Sequence, residues 1–249
     1  TSASAASATT DLNGAATIDA INKIKQNLNN FLRSFYNFNS GNIIYENNFV
    51  KFGNLKKTFK ELVNDAYMNR VSLSSTGFYK TPKIHVNKET LKGRPFLYFS
   101  YGAAVSEVIV DTLTGENKLT QVDILHDVGN SINPRIDIGQ IEGGFTQGLG
   151  WLTTEEISWD KEGLIKTHSP STYKIPTSSD LPDKFKVKIY EKGINKENVV
   201  NKSKAVGEPP LMLALSVFMA LKDAIKNENK KSINLKAPAT PENILLNIN

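Results

Sequence analysis

Glu208 is the only carboxylate in the most constrained stretch of the chain, residues 204–211, which read KAVGEPPL. Proline fixes the backbone angle φ, and glycine lets another backbone or a ligand approach closely. A carboxylate held in such a stiff and accessible segment suits a general base, which accepts a proton from a reacting group. Alternatively, Glu208 only opens the following helix, because carboxylates in a first turn interact favourably with the helix dipole. Residues 204–211 alone do not decide between these roles.

A glycine-rich helix is predicted upstream of this segment. Asn133 and Pro134 are typical of a helix start, since a capping side chain is followed by proline in the first turn. The helix then extends from Arg135 to about Leu149. It contains four glycines, each of which costs about 1 kcal/mol relative to alanine: Gly139, Gly143, Gly144 and Gly148. We interpret this cost as a sign that another group approaches the helix closely.

Three segments in this order carry a family resemblance: residues 127–150, the sequence PSTYKIP at 170–176, and residues 204–211. Together they resemble the C-terminal part of the molybdenum-binding region of xanthine dehydrogenases, within the molybdenum hydroxylase family. The paralogous aldehyde oxidases are somewhat less similar. The resemblance spans nearly the whole chain, because it also includes five shorter segments: residues 11–14, 75–79, 101–102, 106–108 and 239–242.

The resemblance implies oxidative hydroxylation at a carbon next to nitrogen or to a carbonyl group, with water as the oxygen source. The implied reaction on purines converts hypoxanthine to xanthine and then to urate. Glu208 matches the family's general base, which takes the proton of the attacking hydroxyl group. One alternative is an aldehyde oxidase. Another is a non-enzymatic remnant that serves as an interaction or structural module, although the presence of Glu208, Gln140 and Gly207 argues against it.

The first residues match a loop that contacts the cofactor in this family. By that match, Ala5 and Ala6 lie beside the metal, with the backbone of Ala6 near molybdenum, while Ser7 and Thr9 contact the pterin. Bulky side chains would block this approach, whereas hydroxyl groups and backbone amides can form hydrogen bonds. Residues 1–10 are therefore predicted to form either a cofactor-contacting loop or a frayed start.

Four further residues have predicted roles near the cofactor. Gln140 matches a glutamine that binds the pterin, and an amide offers both a donor and an acceptor to its mixed edge. Gly207 leaves room for cofactor and substrate. Lys204 either forms a hydrogen bond within the site or pairs with a surface carboxylate. Gln147 lies on the same helix face as Gln140 and is either a second pterin contact or a surface amide.

The resemblance also implies cofactors and partners outside these residues. The cofactor bound here is the molybdenum cofactor, molybdopterin. The full-length enzyme adds two iron–sulfur clusters, FAD and NAD, in upstream iron–sulfur, flavin and N-terminal molybdenum domains of the same polypeptide. We expect a homodimer in the cytoplasm or the peroxisome. The sequence does not decide whether the electron acceptor is NAD or oxygen. This chain expressed alone is predicted to be inactive.

Composition excludes several other classes of protein. The chain has 249 residues, of which 39% are hydrophobic and 22% charged, as expected of a soluble globular protein. It has no cysteine, which excludes disulfides and any iron–sulfur cluster ligated from within these residues. The histidines are too far apart for a metal site and are predicted to have surface or packing roles: His85, His126 and His168.

Neither a membrane nor a nucleic-acid partner is predicted. No apolar run has the length of about 18 residues that a membrane span needs, and the first residues do not form a secretory signal. The net charge is +5, but the lysines are scattered instead of forming a binding stripe. The pairs Lys56–Lys57 and Lys230–Lys231 are interpreted as solvated faces.

Residues 1–249 are predicted to form a single partial domain of the α+β class, with mixed helices and antiparallel strands. Apolar residues recur with a helical period over residues 11–37 and 55–69. Aromatic and β-branched residues predict strands over 95–110 and 118–127, joined as a hairpin through Thr114–Gly115. A further strand is predicted over 181–190.

Overall fold

A computed structural model of the protein describes residues 1–229 and 233–248. The chain divides into two compact units, Thr1–Lys83 and Ile84–Asn249, each with its own hydrophobic core. The predicted α+β class is confirmed, since both helices and mainly antiparallel sheets are present. The predicted solvated pair Lys230–Lys231 lies outside the described residues. Across the described ranges, no helix has both the length and the apolar character needed to cross a membrane.

The first unit consists of two helices and a three-stranded antiparallel sheet. Its elements, in chain order, are α1 (Ala15–Phe35), β1 (Ile43–Glu46), β2 (Phe49–Phe52), β3 (Leu55–Thr58) and α2 (Phe59–Met68). The long helix predicted over residues 11–37 is confirmed, and its apolar stripe is buried by the sheet and α2 at Leu28, Phe31 and Leu32. Near the helix start the apolar positions are not buried, since Ile18 and Ile21 are nearly half exposed.

The second predicted helix begins later than expected. It was predicted from residue 55, but Leu55–Thr58 form β3 and the helix begins at Phe59. Thr58 and Glu61 form a capping box, in which the Thr58 hydroxyl accepts from the Glu61 amide and the Glu61 carboxylate accepts from the Thr58 amide, at 3.2 and 2.8 Å. Lys57 is not a purely solvated residue, because it is half-buried and pairs with Asp65 at 2.8 Å.

The second unit contains the remaining sheets. Strands β4 (His85–Val86) and β5 (Gly93–Arg94) have two residues each and form a small sheet. The main sheet consists of β6 (Gly102–Val110), β7 (Asn117–His126) and β8 (Lys184–Ile189). The hairpin predicted through Gly115 is confirmed, since β6 and β7 pair antiparallel and Gly115 has a φ of +73°. β8 pairs with β7 in parallel, which the sequence analysis did not anticipate.

Three helices cover the main sheet of the second unit. They are α3 (Pro134–Thr153), α4 (Leu215–Asn229) and α5 (Pro241–Ile248), and a 3₁₀ helix, Pro209–Ala214, leads into α4. The predicted start of α3 is confirmed, because the Asn133 side chain accepts a hydrogen bond from the amide of Ile136. The core joins β7 to these helices through buried aliphatic and aromatic side chains: Val122, Ile124, Ile141, Phe145, Val217, Leu221 and Ile244.

Candidate active site

The segment that contains Glu208 is attached to the end of β7 by a buried ion pair. Alternation along β7 turns Val122, Ile124 and His126 toward the core, and Asp127 follows the strand. The Lys204 ammonium group donates to the Asp127 carboxylate at 2.5 Å, and the two side chains are 7% and 12% exposed. Lys204 therefore pairs with a carboxylate, as one alternative proposed, but that carboxylate is buried rather than on the surface.

The backbone on the other side of Lys204 is fixed by side chains that precede β6. The amide of Ala205 donates to the Tyr98 hydroxyl at 2.9 Å, and the carbonyl of Ala205 accepts from the Ser100 hydroxyl at 2.9 Å. Both backbone polar groups of one residue are thus satisfied by side chains. The roles of Tyr98, Ser100 and Asp127 were not predicted from the sequence, because no short-range pattern links these residues to residues 204–211.

Two glycines of α3 allow the segment after Lys204 to lie directly against this helix. A Cβ atom at Gly144 would be 2.9 Å from the carbonyl oxygen of Gly207, and one at Gly148 would be 2.2 Å from that of Leu211. Real Cβ atoms do not approach that closely, so glycine is required at both positions. The expectation of close approach to this helix is confirmed at Gly144 and Gly148.

Glu208 follows the residues that are attached to the end of β7 and lies within the part of the segment that packs against α3. It is solvent-exposed and is the N-cap residue of the 3₁₀ helix that begins at Pro209, where its carbonyl accepts from the amide of Leu211 at 3.0 Å. Its carboxylate makes no capping hydrogen bond to that helix. The position therefore agrees with the helix-opening role, whereas the side chain is not used for capping.

Gln140 lies on α3, the helix against which the same segment packs. It is exposed, and it precedes Gly144 by four residues, so it is one helical turn from the contact with Gly207. Gln147 is also exposed, three residues after Gly144. Gln140 and Gln147 are thus exposed positions on the helix that packs against Gly207, whereas the Lys204 side chain is buried.

The predicted cofactor-contacting loop belongs to the first unit. Ala6–Ala8 form a 3₁₀ turn, and the residues around it are small and largely exposed. Ala6 has a φ of +58°, a left-handed conformation that costs a non-glycine residue roughly 1–2 kcal/mol. The hydroxyl groups of Ser4 and Thr9 are hydrogen-bonded at 2.7 Å across the turn. Such strained backbone is found at ligand-binding sites more often than elsewhere.

His126 is a buried imidazole directly beside the ion pair. The residue is 1% exposed, and its Nδ1 atom has no hydrogen-bond partner among the described residues. Burial lowers the pKa of His126, and Lys204 adds to this effect, whereas the neighbouring Asp127 carboxylate opposes it. The folded protein therefore keeps His126 neutral. Its burial agrees with a packing role, one of the two roles predicted for the histidines.

Acidification is expected to destabilise the protein through His126. Because its pKa is lowered on folding, the unfolded chain binds the proton first, and stability is lost as the pH falls below the unfolded value of about 6.5. We expect the melting temperature to fall less steeply between pH 7.5 and 5.5 in His126→Phe than in the parent. His168→Phe, at an exposed position, is the control and should keep the parent slope. Equal slopes for the parent and His126→Phe would contradict this prediction.

Comparison with known proteins shows the family to which the chain belongs. The model of the molybdopterin cofactor-binding domain family matches residues 1–182, which is well over half of the chain. The chain belongs to this family. The resemblance to molybdenum hydroxylases that the sequence analysis identified is therefore confirmed.

Among individual proteins, the chain is similar to xanthine dehydrogenases. It is 45% identical over 252 residues to the xanthine dehydrogenase/oxidase of Felis catus, with 98% of this chain and 17% of that protein covered. It is 43% identical to the xanthine dehydrogenase of Oryza sativa, with 96% and 17% covered. The chain thus spans about one sixth of the length of these relatives.

Solved structures show the same fold. A copper- and molybdenum-containing CO dehydrogenase superposes with a TM-score of 0.75 at 23% identity, covering 97% of this chain and 29% of that one. The aldehyde oxidoreductase of Desulfovibrio gigas superposes with a TM-score of 0.60 at 28% identity, covering 74% of this chain and 19% of that one. The fold that positions Glu208 is therefore that of molybdenum-dependent oxidoreductases.

Proposed function

We propose that this chain is the molybdenum-cofactor segment of a xanthine dehydrogenase and that Glu208 is its general base. The main support for this role is the position of Glu208, whose exposed carboxylate lies in a segment that packs against α3 at Gly144 and Gly148. A catalytic base must be held in place and yet reach a reacting group. Similarity to xanthine dehydrogenases at 45% identity supports the reaction class.

The residues present fit a bound molybdopterin. The exposed Gln140 amide can both donate and accept hydrogen bonds, as the mixed edge of a pterin requires. Gly207 carries no side chain beside Glu208, and the left-handed Ala6 presents its backbone within a run of small residues. In the proposal, Ala5 and Ala6 lie beside the metal, while Ser7, Thr9 and Gln140 contact the pterin.

The chain's own residues then have distinct tasks in the proposed reaction. When bound, the molybdenum cofactor supplies the oxygen atom that is transferred, with water as its source, and takes up the two electrons of substrate oxidation. Glu208 accepts the proton of the attacking hydroxyl group through a carboxylate oxygen. Gly207 is proposed to leave the space that the cofactor and substrate need, and the 3₁₀ helix begins at Pro209, directly after the base.

The rest of the proposal concerns the whole polypeptide. Purines are the proposed substrates, with hypoxanthine converted to xanthine and then to urate. Aldehydes are the second candidate, because a solved aldehyde oxidoreductase shares the fold at 28% identity. Iron–sulfur clusters, FAD, NAD, a homodimer and a location in the cytoplasm or peroxisome are further predictions, as is the organisation of residues 1–249 as a single partial domain.

The direct test is turnover by the complete polypeptide that carries this chain, produced in a host that makes the molybdenum cofactor. Molybdenum per polypeptide is measured first, and hypoxanthine and an aromatic aldehyde are then compared as substrates. We expect one molybdenum per polypeptide and preferential oxidation of hypoxanthine. Preferential oxidation of the aldehyde would favour the aldehyde oxidase alternative, while absence of both molybdenum and turnover would support a non-enzymatic module.

Replacing Gln140 is expected to weaken cofactor retention before it affects stability. Because its side chain is exposed, Gln140→Ala should lower molybdenum per polypeptide while leaving the melting temperature unchanged. Metal analysis and thermal unfolding of the same preparations provide the comparison. The matched control is Gln26→Ala, the same change at an exposed position of α1, which should alter neither value.

Full molybdenum occupancy in Gln140→Ala would rule out this contact. Gln147→Ala decides the question left open for the second glutamine, which shares the exposed face of α3. Loss of molybdenum in that variant would indicate a pterin contact. Parent-like occupancy would leave Gln147 as a surface amide.

A further inference from the structure

We infer that Asp127, Lys204, Tyr98 and Ser100 form an anchor that positions Glu208 by fixing the backbone of residues 203–205. This inference rests on the proposed role of Glu208 as the base. None of the four residues needs to touch the substrate, because each acts through the chain that leads to Glu208. They are positioning residues.

The ion pair is the rigid part of this anchor. Asp127 accepts from Lys204 through one carboxylate oxygen and from the amide of Gly129 through the other, at 2.8 Å for the amide. The ammonium group also lies 4.9 Å from the centre of the Tyr101 ring, within range of a cation–π interaction. Charges this deeply buried cannot separate cheaply, since removal of either partner leaves an uncompensated charge. The side chain of Lys204 is therefore fixed to the end of β7.

Backbone hydrogen bonds extend the anchor along the chain. The amide of Lys204 donates to the carbonyl of Val128 at 2.8 Å, and Ser203 forms an antiparallel bridge with Gly129. A Cβ atom at Gly129 would lie 2.5 Å from the carbonyl oxygen of Lys202, so the two backbones approach as closely as glycine allows. Residues 203 and 204 are thus held like a short strand beside residues 128 and 129.

Ala205 completes the anchor through the two hydroxyl groups. Its amide and carbonyl would otherwise need other partners, because the segment does not continue as a ladder of backbone hydrogen bonds. Tyr98 accepts from the amide and Ser100 donates to the carbonyl. Only two residues, Val206 and Gly207, then separate this fixed point from Glu208, and Pro209 begins the 3₁₀ helix on its other side. The carboxylate is consequently positioned from both directions.

This arrangement accounts for the buried position of Lys204 without a contact to the cofactor. An ammonium group has three donors, and one of them is used by Asp127. The cofactor contact predicted from the resemblance stays a prediction. The anchor makes a different prediction: displacing a base by about 1 Å can cost up to ~10²-fold in rate even when the altered residue is remote from the chemistry.

The test uses mild variants of the complete, molybdenum-loaded polypeptide. The double variant Tyr98→Phe with Ser100→Ala removes the two hydroxyl partners of Ala205 and leaves the ion pair intact. We expect kcat to fall about tenfold with KM and molybdenum content nearly unchanged, because the base is misplaced while binding surfaces persist. Hydrogen exchange of residues 203–208 should accelerate. Tyr190→Phe, at an exposed tyrosine of the same unit, is the control and should change none of these quantities.

A double-mutant cycle separates positioning from general weakening of the fold. If the hydroxyl groups act through the base, their removal should cost little further kcat in a Glu208→Gln background. An unchanged kcat, unchanged hydrogen exchange, or the same tenfold loss in that background would overturn the inference. Failure of the proposed function is distinguishable, because Glu208→Gln alone would then retain turnover while hydrogen exchange still reports whether the hydroxyl groups fix the segment.

Discussion

Glu208→Gln is expected to reduce turnover of the complete enzyme by ~10²–10⁴-fold, the usual contribution of a general base, and more if the base also generates the nucleophile. The amide has the same shape as the carboxylate but cannot accept the proton of the attacking hydroxyl group. Folding and cofactor content should stay nearly intact, because Glu208 is exposed and its side chain does not cap the 3₁₀ helix. The measurement is kcat per molybdenum with hypoxanthine.

The control for this prediction is Glu191→Gln, the same change at another exposed carboxylate of the second unit. It should keep the parent kcat and the parent molybdenum content. If Glu208→Gln retained more than about half of the parent kcat at full molybdenum occupancy, its loss would fall outside the range of a general base. Glu208 would then have the structural role of opening the helix.

Gly148→Ala should be strongly destabilising. The new methyl group would lie 2.2 Å from the carbonyl oxygen of Leu211 and 2.9 Å from the Cβ atom of Ala214. The 3₁₀ helix must therefore move away from α3, and overpacking of this kind typically costs 1–3 kcal/mol, so we expect a loss of about 3 kcal/mol. Denaturant unfolding of the parent and the variant provides the measurement.

Gly143→Ala is the matched control in the same helix. Apart from the neighbouring backbone of α3 itself, no described atom lies within 4 Å of its added methyl group, and alanine favours helix by about 1 kcal/mol, so this variant should be slightly more stable than the parent. The opposite signs at two glycines five residues apart would show that only one of them serves the contact with residues 207–211. Equal effects at Gly143 and Gly148 would contradict the packing described for α3.

Elements with a local start signal could be predicted from the sequence, whereas those set by packing could not. Asn133 and Pro134 specify the start of α3 by their own chemistry, and the structure agrees. The start of α2 has an equally local signal in Thr58 and Glu61, which the predicted boundary at residue 55 did not use. The short strands β1 to β3 have four residues each, too few for a clear alternation, and their pairing depends on α1.

In the candidate site too, features with a local sequence signal could be predicted, whereas features set by tertiary packing could not. Glu208 was singled out by the constrained segment around it, and the family resemblance assigned the predicted roles of Glu208 and Gln140. The partner of Lys204 was not found, because Asp127 precedes it by 77 residues and the pair forms only when residues 203–205 are placed beside the end of β7. Which glycines of α3 are needed also depends on tertiary structure, since the costs in an isolated helix are the same for Gly143 and Gly144.

Glu208 is proposed as the base of a molybdenum-dependent hydroxylation. Its most direct test is the rate at which hypoxanthine reduces the molybdenum-loaded complete enzyme in a single anaerobic turnover, compared between the parent and Glu208→Gln at equal molybdenum content. A single turnover isolates the proton-transfer step from product release and electron exit. We predict a rate at least about 100-fold lower in the variant. Equal rates of reduction in the two proteins would contradict the claim.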